Sequence, residues 1–223
     1  MTWSTRLYVV TQEAEEAGLA FAPPSWWDLE RLFQVHADRR IPLPDGREVL
    51  FLSWPRVMDY NLDAGRKEWD LPEREPVPQD MQAQRQELLD RLQDARWFIV
   101  QRDRVWVVPE EARPGCHIFQ EPTWWTWVTE DFREWYQEFW AGLGKRRFDA
   151  RDNISYLNYE SLLTGQEALT LDARSRESYR AYERSHGRKH LKREVWRAMG
   201  RFRRVLQQAV WVVIYDYEWE SGL

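Results

Sequence analysis

The sequence predicts an α+β protein built from two tandem copies of a βαββαβ unit. Two observations carry this prediction: a long stretch of the chain recurs once, and each copy alternates short apolar runs with amphipathic helical segments. Hydrophobic residues make up 43% of the 223 residues, charged residues make up 31%, and the mean hydropathy is −0.74. This composition excludes a disordered chain and an integral membrane protein.

The repeat is clearest near the start of each copy. At an offset of 98 residues, the segment from Arg6 to Trp27 matches the segment from Arg104 to Trp125 without a gap. Nine of the 22 aligned positions are identical, where chance gives about one or two. The identical residues of the first copy are Arg6, Val9, Val10, Glu13, Ala14, Phe21, Pro24, Trp26 and Trp27.

Later segments recur in the same order. Residues 28–34 align with 131–137, and residues 92–97 align with 206–211. Between them, the Arg39-Arg40 pair aligns near Arg146-Arg147. Start, middle and end of the pattern are therefore all repeated. The sequence predicts a tandem duplication, with a first, acidic repeat at residues 1–102 and a second repeat at 103–223 that contains a basic C-terminal helix.

The first copy shows the signals of each element in turn. Ser25 and Asp28 form a capping signature for a helix that reaches about Ala37, and Pro-Asp-Gly at 44–46 supplies the turn of a hairpin. The predicted strands are 6–10, 41–43, 48–54 and 97–100, and the predicted helices are 25–37 and 80–95.

This order, βαββαβ, is that of the split βαβ unit of ferredoxin-like domains. In the second copy, Thr129 caps a helix that stops near Gly142, and a long helical segment then runs to about Ala209 with an interruption near Gly187. A last strand follows at 211–217. We therefore predict two ferredoxin-like halves packed as a pseudo-symmetric pair.

Charge separates the two ends of the chain. Residues 1–140 hold 16 basic and 26 acidic side chains, whereas residues 141–223 hold 16 basic and 11 acidic side chains. Between Arg174 and Arg204, twelve cations face only three glutamates. Five of these cations recur at helical spacing and predict one cationic helix face: Lys189, Arg193, Arg197, Arg201 and Arg204. The opposite stripe is apolar and predicts the buried face: Val195, Met199, Phe202, Leu206 and Ala209.

The basic helix gives the leading functional hypothesis, which is a non-enzymatic binding or complex-subunit protein. Arginine suits bidentate contacts to phosphate or carboxylate, so the predicted partner is RNA, single-stranded DNA or an acidic protein surface. The predicted contact residues are Arg184, Arg188, Lys189, Lys192, Arg193, Arg197, Arg201 and Arg204.

Two alternatives come from other features. Duplicated domains often place a pocket between their halves, so an enzyme or small-ligand-binding protein would use an aromatic cleft lined by Trp124, Trp125, Trp127, Glu13 and Glu111. An assembly protein would instead associate head to tail through its acidic and basic halves.

No motif in the chain identifies a reaction, so no catalytic residue, cofactor or metal is predicted. His186 and His190 have metal-ligand spacing, but neighbouring cations such as Lys189 lower metal affinity by repulsion. Cys116 and His117 are adjacent on an extended segment, so their side chains point apart and do not form a nucleophile–base pair.

Location is predicted from the cysteine content and the N-terminus. A single cysteine, Cys116, cannot form an internal disulfide. The first residues lack the basic start and apolar segment of a signal peptide, and no apolar run reaches about 18 residues. We therefore expect a cytoplasmic protein without membrane association.

Overall fold

A computed structural model describes residues 2–25, 27–43, 45–53, 83, 86–88, 90, 92–120, 147–150, 158–186 and 193–219. These residues form a mixed α+β structure with two five-stranded antiparallel sheets and several helices. The predicted α+β class is confirmed. Within the described residues, no helix is both long enough and apolar enough to cross a bilayer.

The described residues include ten strands, which are β1 (Thr2–Thr11), β2 (Ala20–Phe21), β3 (Arg40–Pro42), β4 (Glu48–Ser53), β5 (Ala95–Val100), β6 (Val105–Pro109), β7 (Cys116–Gln120), β8 (Arg147–Ala150), β9 (Asn158–Thr164) and β10 (Ala209–Trp219). The helices whose full range is described are α1 (Leu29–Val35), α2 (Gly165–His186) and α3 (Arg193–Leu206). Short 3-10 helices span Gln12–Ala14 and Ala37–Arg39.

The chain divides into two compact units. The central unit comprises residues 13–115, and its sheet has the order β2-β6-β5-β4-β3. The terminal unit comprises residues 1–12 and 116–223, and its sheet has the order β7-β1-β10-β9-β8. Strand β1, from the N-terminus, thus lies inside the sheet whose other strands come from the C-terminal half.

Local signals predict the helix and the hairpin at the start of the central unit, but α1 begins at Leu29 and not near Ser25. Only part of the predicted helix 80–95 lies within the described residues. The Asp28 side chain accepts a hydrogen bond from the Arg31 backbone N–H at 3.1 Å and caps α1. Strands β3 and β4 pair as the predicted hairpin. Gly46 has φ +82°, in the left-handed region that glycine favours, and its N–H donates to the Leu43 carbonyl at 3.0 Å.

The two sheets repeat the same pairing register in sequence-equivalent strands. Val10 of β1 lies opposite Trp211 of β10, and Val108 of β6 lies opposite Trp97 of β5. Leu7 lies opposite Phe119, as its equivalent Val105 lies opposite Phe21. A hydrogen bond beyond the strands is repeated as well: the Gln12 N–H donates to the Gln208 carbonyl at 3.1 Å, and the Glu110 N–H donates to the Asp94 carbonyl at 2.7 Å.

The ferredoxin-like topology is not confirmed. A split βαβ unit contains parallel strands joined by a crossover helix, whereas every strand pair in the described residues is antiparallel. The physical reason lies at residues 101–104. This short turn joins β5 directly to β6, and such a turn favours a hairpin between consecutive strands. Strand β6, which the sequence predicts as the first strand of a second repeat, therefore pairs with β5, the predicted last strand of the first repeat.

Helices α2 and α3 cover one face of the terminal sheet. Their core cluster is fully or almost fully buried and comprises Leu7, Val9, Leu163, Ala168, Met199, Phe202, Leu206, Val212 and Ile214. The residues of β1 and β10 in this cluster occur at every second position, as expected for one face of a sheet. This apolar layer determines which face of α3 is left for solvent.

Candidate anionic-partner interface

Helix α2 starts from a capping box. The Thr164 hydroxyl accepts a hydrogen bond from the Glu167 backbone N–H at 3.2 Å, and the Glu167 carboxylate accepts one from the Thr164 backbone N–H at 2.9 Å. Gly165, the first helical residue, lies directly against β10. A Cβ added there would sit 1.9 Å from the Ala209 carbonyl oxygen. The start of α2 is thus closely packed on the sheet.

A buried ion pair then connects α2 to α3. The Arg176 Nε donates to both carboxylate oxygens of Asp172, at 2.9 and 2.8 Å. The side chains are 10% and 5% exposed. Arg176 also donates from Nη2 to the Met199 carbonyl of α3, and Arg203 Nη1 lies 3.7 Å from the Asp172 carboxylate. Residue 172 contacts residue 203, and residue 176 contacts residue 199. Because the residue number rises along one helix as it falls along the other, the two helices run antiparallel.

Burial dominates the protonation equilibrium of Asp172. It raises the pKa of this carboxyl above its ordinary value, and the hydrogen bonds and charge of Arg176 offset part of the rise. The charge of Arg203 acts in the same direction as that of Arg176. The two arginines therefore stabilise the Asp172 carboxylate by less than burial destabilises it.

The outer face of α3 is cationic, as the helical spacing predicts. Arg197, Arg201 and Arg204 are exposed, while Met199, Phe202 and Leu206 are buried. Among the side chains that the structure describes, no carboxylate forms an ion pair with these three arginines. At 1.5 Å per residue, they follow the helix over about 10 Å. We call these three residues the arginine face.

Helix α2 has a different surface. Its exposed cations include Arg174, Arg180 and Arg184, but exposed Glu177 and half-buried Glu183 lie on the same helix. Arg184, one of the predicted contact residues, lies on α2 and does not belong to the arginine face of α3. Among the side chains that the structure describes, the exposed charged residues of α3 are all arginines, whereas those of α2 include a glutamate.

Of the remaining predicted contact residues, only Arg193 lies within the described residues. Arg193 is the first residue of α3 and lies one turn before Arg197. Arg188, Lys189 and Lys192 lie outside the described residues.

The predicted aromatic cleft is only partly described. Glu13 and Glu111 are exposed, and both belong to the central unit. Trp124, Trp125 and Trp127 lie outside the described residues, so the cleft stays a prediction.

Other candidate groups are separated or buried. Cys116 is buried on β7, and His117 is the next residue of the same strand. Within the described residues, no group of three or more His, Cys, Asp or Glu side chains has a geometry that would hold a metal ion. His186 ends α2, and His190 lies outside the described residues.

Sequence reasoning missed the contacts below the arginine face. Asp172, Arg176 and Arg203 fix α3 on α2, yet none of them was predicted to have this role. The i,i+4 spacing of Asp172 and Arg176 is a known signal for a helical ion pair. Their burial depends on the packing of α3, which local sequence does not reveal.

Comparison with protein-family models, curated proteins and solved structures yields no match.

Proposed function

We propose that this chain is a non-enzymatic binding or complex-subunit protein that contacts an anionic partner through the arginine face of α3. The partner is RNA, single-stranded DNA or an acidic protein surface. The observation that carries the proposal is the exposure of Arg197, Arg201 and Arg204 on one helix face without a described carboxylate beside them.

Electrostatics supports a partner of opposite charge. Cations at i,i+3 and i,i+4 repel each other and destabilise a helix by a few tenths of a kcal/mol per pair. A bound phosphate or carboxylate relieves this repulsion. Arg204 is partly compensated without a partner, because cations in the last helical turn interact favourably with the helix dipole. A bound anion would therefore relieve the most charge repulsion at Arg197 and Arg201.

The support below the face favours binding as well. Met199 and Phe202 anchor α3 in the apolar core, and the backbone of Met199 is held by Arg176. A helix fixed in this way presents its arginines with little rigid-body freedom, which reduces the entropy lost on binding. Guanidinium groups also donate two parallel hydrogen bonds to a phosphate or carboxylate.

The test is a polarisation assay with labelled single-stranded RNA, single-stranded DNA and an acidic peptide, each at low and high salt. We expect binding that weakens as salt is raised and that is lost in the variant R197E/R201E. The control variant R31E/R102E has the same change in net charge within the central unit and should bind as the wild type does. Equal binding by both variants would overturn the proposal.

We further propose that the chain arose by tandem duplication, with one repeat at 1–102 and the other at 103–223. The shared register of β1 with β10 and of β6 with β5 supports this history. On this view, the two repeats exchange their first strands, so that each sheet contains strand one of the other repeat. The boundaries of the compact units then differ from the boundaries of the repeats by one strand.

A cytoplasmic location belongs to the same proposal. Cys116 is buried, and a sequence with one cysteine forms no internal disulfide that would require an oxidising compartment. Fractionation of cells expressing the full chain tests this, with recovery in the membrane or secreted fraction as the contradicting result.

A further inference from the structure

We infer that the anionic partner of the arginine face is a second copy of this chain, which binds through carboxylates of its central unit. This inference rests on the proposed function, because it uses the same face of α3. It goes further by choosing one partner among the anionic classes and by naming the surface of that partner.

The complementary surface lies at one corner of the central unit. Glu13 and Glu16 are exposed on the connection from β1 to β2, and Glu111 is exposed on the connection from β6 to β7. The two connections touch, because a Cβ added at Gly115 would lie 2.5 Å from the Ala14 Cα. We call Glu13, Glu16 and Glu111 the acidic corner.

Within the described residues, these carboxylates differ from their neighbours in having no ion-pair partner. Glu15 pairs with Arg104, and Glu110 pairs with Arg96 at 2.7 Å. No cation of the described residues pairs with Glu13, Glu16 or Glu111. The acidic corner thus mirrors the arginine face: three exposed charges of one sign, without described counter-ions, on a closely packed support.

The charge of the two units agrees with this pairing. The central unit carries 14 basic and 21 acidic side chains, and the terminal unit carries 18 basic and 16 acidic side chains. Complementary potentials on two surfaces raise the association rate and suppress incorrect partners. Two copies that meet terminal unit to central unit bring opposite charges together.

The distribution of charge favours a second copy over nucleic acid. The whole chain carries a formal charge of −5 at pH 7, which repels a polyphosphate backbone and a second copy alike. A second copy also has a terminal unit with more basic than acidic side chains, and its central unit carries exposed carboxylates that have no ion-pair partner among the described residues. The contact joins two different surfaces, so it is heterologous and builds larger assemblies as concentration rises.

The experiment is sedimentation velocity on the full chain over a range of concentrations, at about 0.03 M and about 0.5 M salt. We expect the wild type to associate at low salt and to dissociate at high salt. The variants R197E/R201E and E13K/E111K should each associate at least about tenfold more weakly, since each places like charges in contact. Circular dichroism and thermal unfolding check that both variants stay folded.

Mixing the two variants is the decisive arm. In each variant alone, the two contact surfaces carry charge of the same sign and repel each other. In the mixture, the acidic side chains introduced by R197E/R201E can contact the basic side chains introduced by E13K/E111K. We expect the equimolar mixture to associate at low salt. The control variant R31E/R102E should behave as the wild type does.

The outcomes separate this inference from the proposed function. A wild type that stays monomeric at every concentration, while labelled RNA binds it and R197E/R201E does not bind RNA, overturns self-association and leaves the proposed function in place. Association that is equally strong in R197E/R201E and in the wild type also overturns the inference. Loss of both self-association and all polyanion binding would overturn both.

Discussion

Arg176 donates from Nε to both carboxylate oxygens of Asp172, one helical turn before it on α2, and the pair is buried. The same guanidinium reaches the Met199 carbonyl on α3. One side chain thus satisfies a buried carboxylate and fixes the neighbouring helix. The position of the arginine face depends on this contact, although neither residue belongs to the face.

The first prediction concerns the loss of one partner of this pair. We expect R176A to lower the free energy of unfolding by about 3–5 kcal/mol, because it leaves the Asp172 carboxylate buried without its bidentate donor. Urea unfolding measures the change. The double variant D172L/R176M, which removes both charges and keeps apolar bulk, should be clearly more stable than R176A.

A matched control lies on the same helix. Arg174 is exposed, and R174A should change stability by no more than about 0.5 kcal/mol. If R176A and R174A have equal effects, the buried pair does not hold α2 and α3 together as argued here.

The second prediction is a pH dependence with a defined sign. Burial raises the pKa of Asp172 in the folded protein above its value in the unfolded chain. The folded state therefore binds the proton more tightly, and the stability from this group is largest below the unfolded pKa of about 4. That stability is lost as the pH rises through the raised pKa of the folded state. Comparing urea unfolding of the wild type and D172N across pH isolates the effect. A difference that grows in favour of the wild type as pH rises would contradict the account.

Local signals explain how much of this fold could be predicted. The turn at Asp45-Gly46 is read from neighbouring residues and is present. The signature of Ser25 and Asp28 predicts a helix start at Ser25, whereas Asp28 is the cap and α1 starts at Leu29. The apolar stripe of α3 predicts that Met199 and Phe202 are buried, and they are. Such features depend on spacing within a few turns of chain.

The pairing partner of β1 could not be predicted in the same way. Val9 and Val107 are identical positions of β1 and β6, so the sequence of either strand suits either sheet. Chain connectivity decides the outcome, because residues 101–104 turn β5 straight into β6. The similarity of the two segments therefore predicts a repeat but does not predict which sheet each strand joins.

The third prediction tests that exchange with a matched pair of substitutions. Val9 pairs with Val212, and its equivalent Val107 pairs with Phe98; both valines are fully buried. Each change to Ala removes buried methyl groups and leaves a cavity, at a cost of about 2 kcal/mol. Hydrogen exchange should show that V9A weakens protection mainly in β10 and that V107A weakens it mainly in β5. A V9A variant that weakens β5 more than β10 would contradict the observed sheet order.

The fourth prediction uses two glycines with opposite surroundings. At Gly165, a Cβ would lie 1.9 Å from the Ala209 carbonyl oxygen, whereas at Gly200 nothing lies within 4 Å. We expect G165A to destabilise the protein by about 1–3 kcal/mol, because the start of α2 must move away from β10. G200A should stabilise it by about 0.5–1 kcal/mol through the helix propensity of Ala. Thermal unfolding of both variants measures these effects, and a stabilising G165A would show that α2 does not start against β10.

The arginine face was found from the sequence because charge and periodicity are both local properties. Arg197 and Arg201 are one turn apart, and the apolar stripe on the other side predicts which way they face. The acidic corner was not found, because Glu13 and Glu111 lie on connections that touch only after the chain has folded. The alternative cleft joined these two glutamates to tryptophans and did not group them with Glu16.

The most direct test of the arginine face is a modification footprint with an arginine-selective dicarbonyl reagent, read by mass spectrometry. The full chain is modified at low salt, where partners bind, and at high salt, where they dissociate. We expect Arg197, Arg201 and Arg204 to react more slowly at low salt, while the exposed Arg102 of the central unit reacts at the same rate in both conditions. Unchanged reactivity of the three α3 arginines under conditions of proven binding, with protection elsewhere, would contradict the central claim.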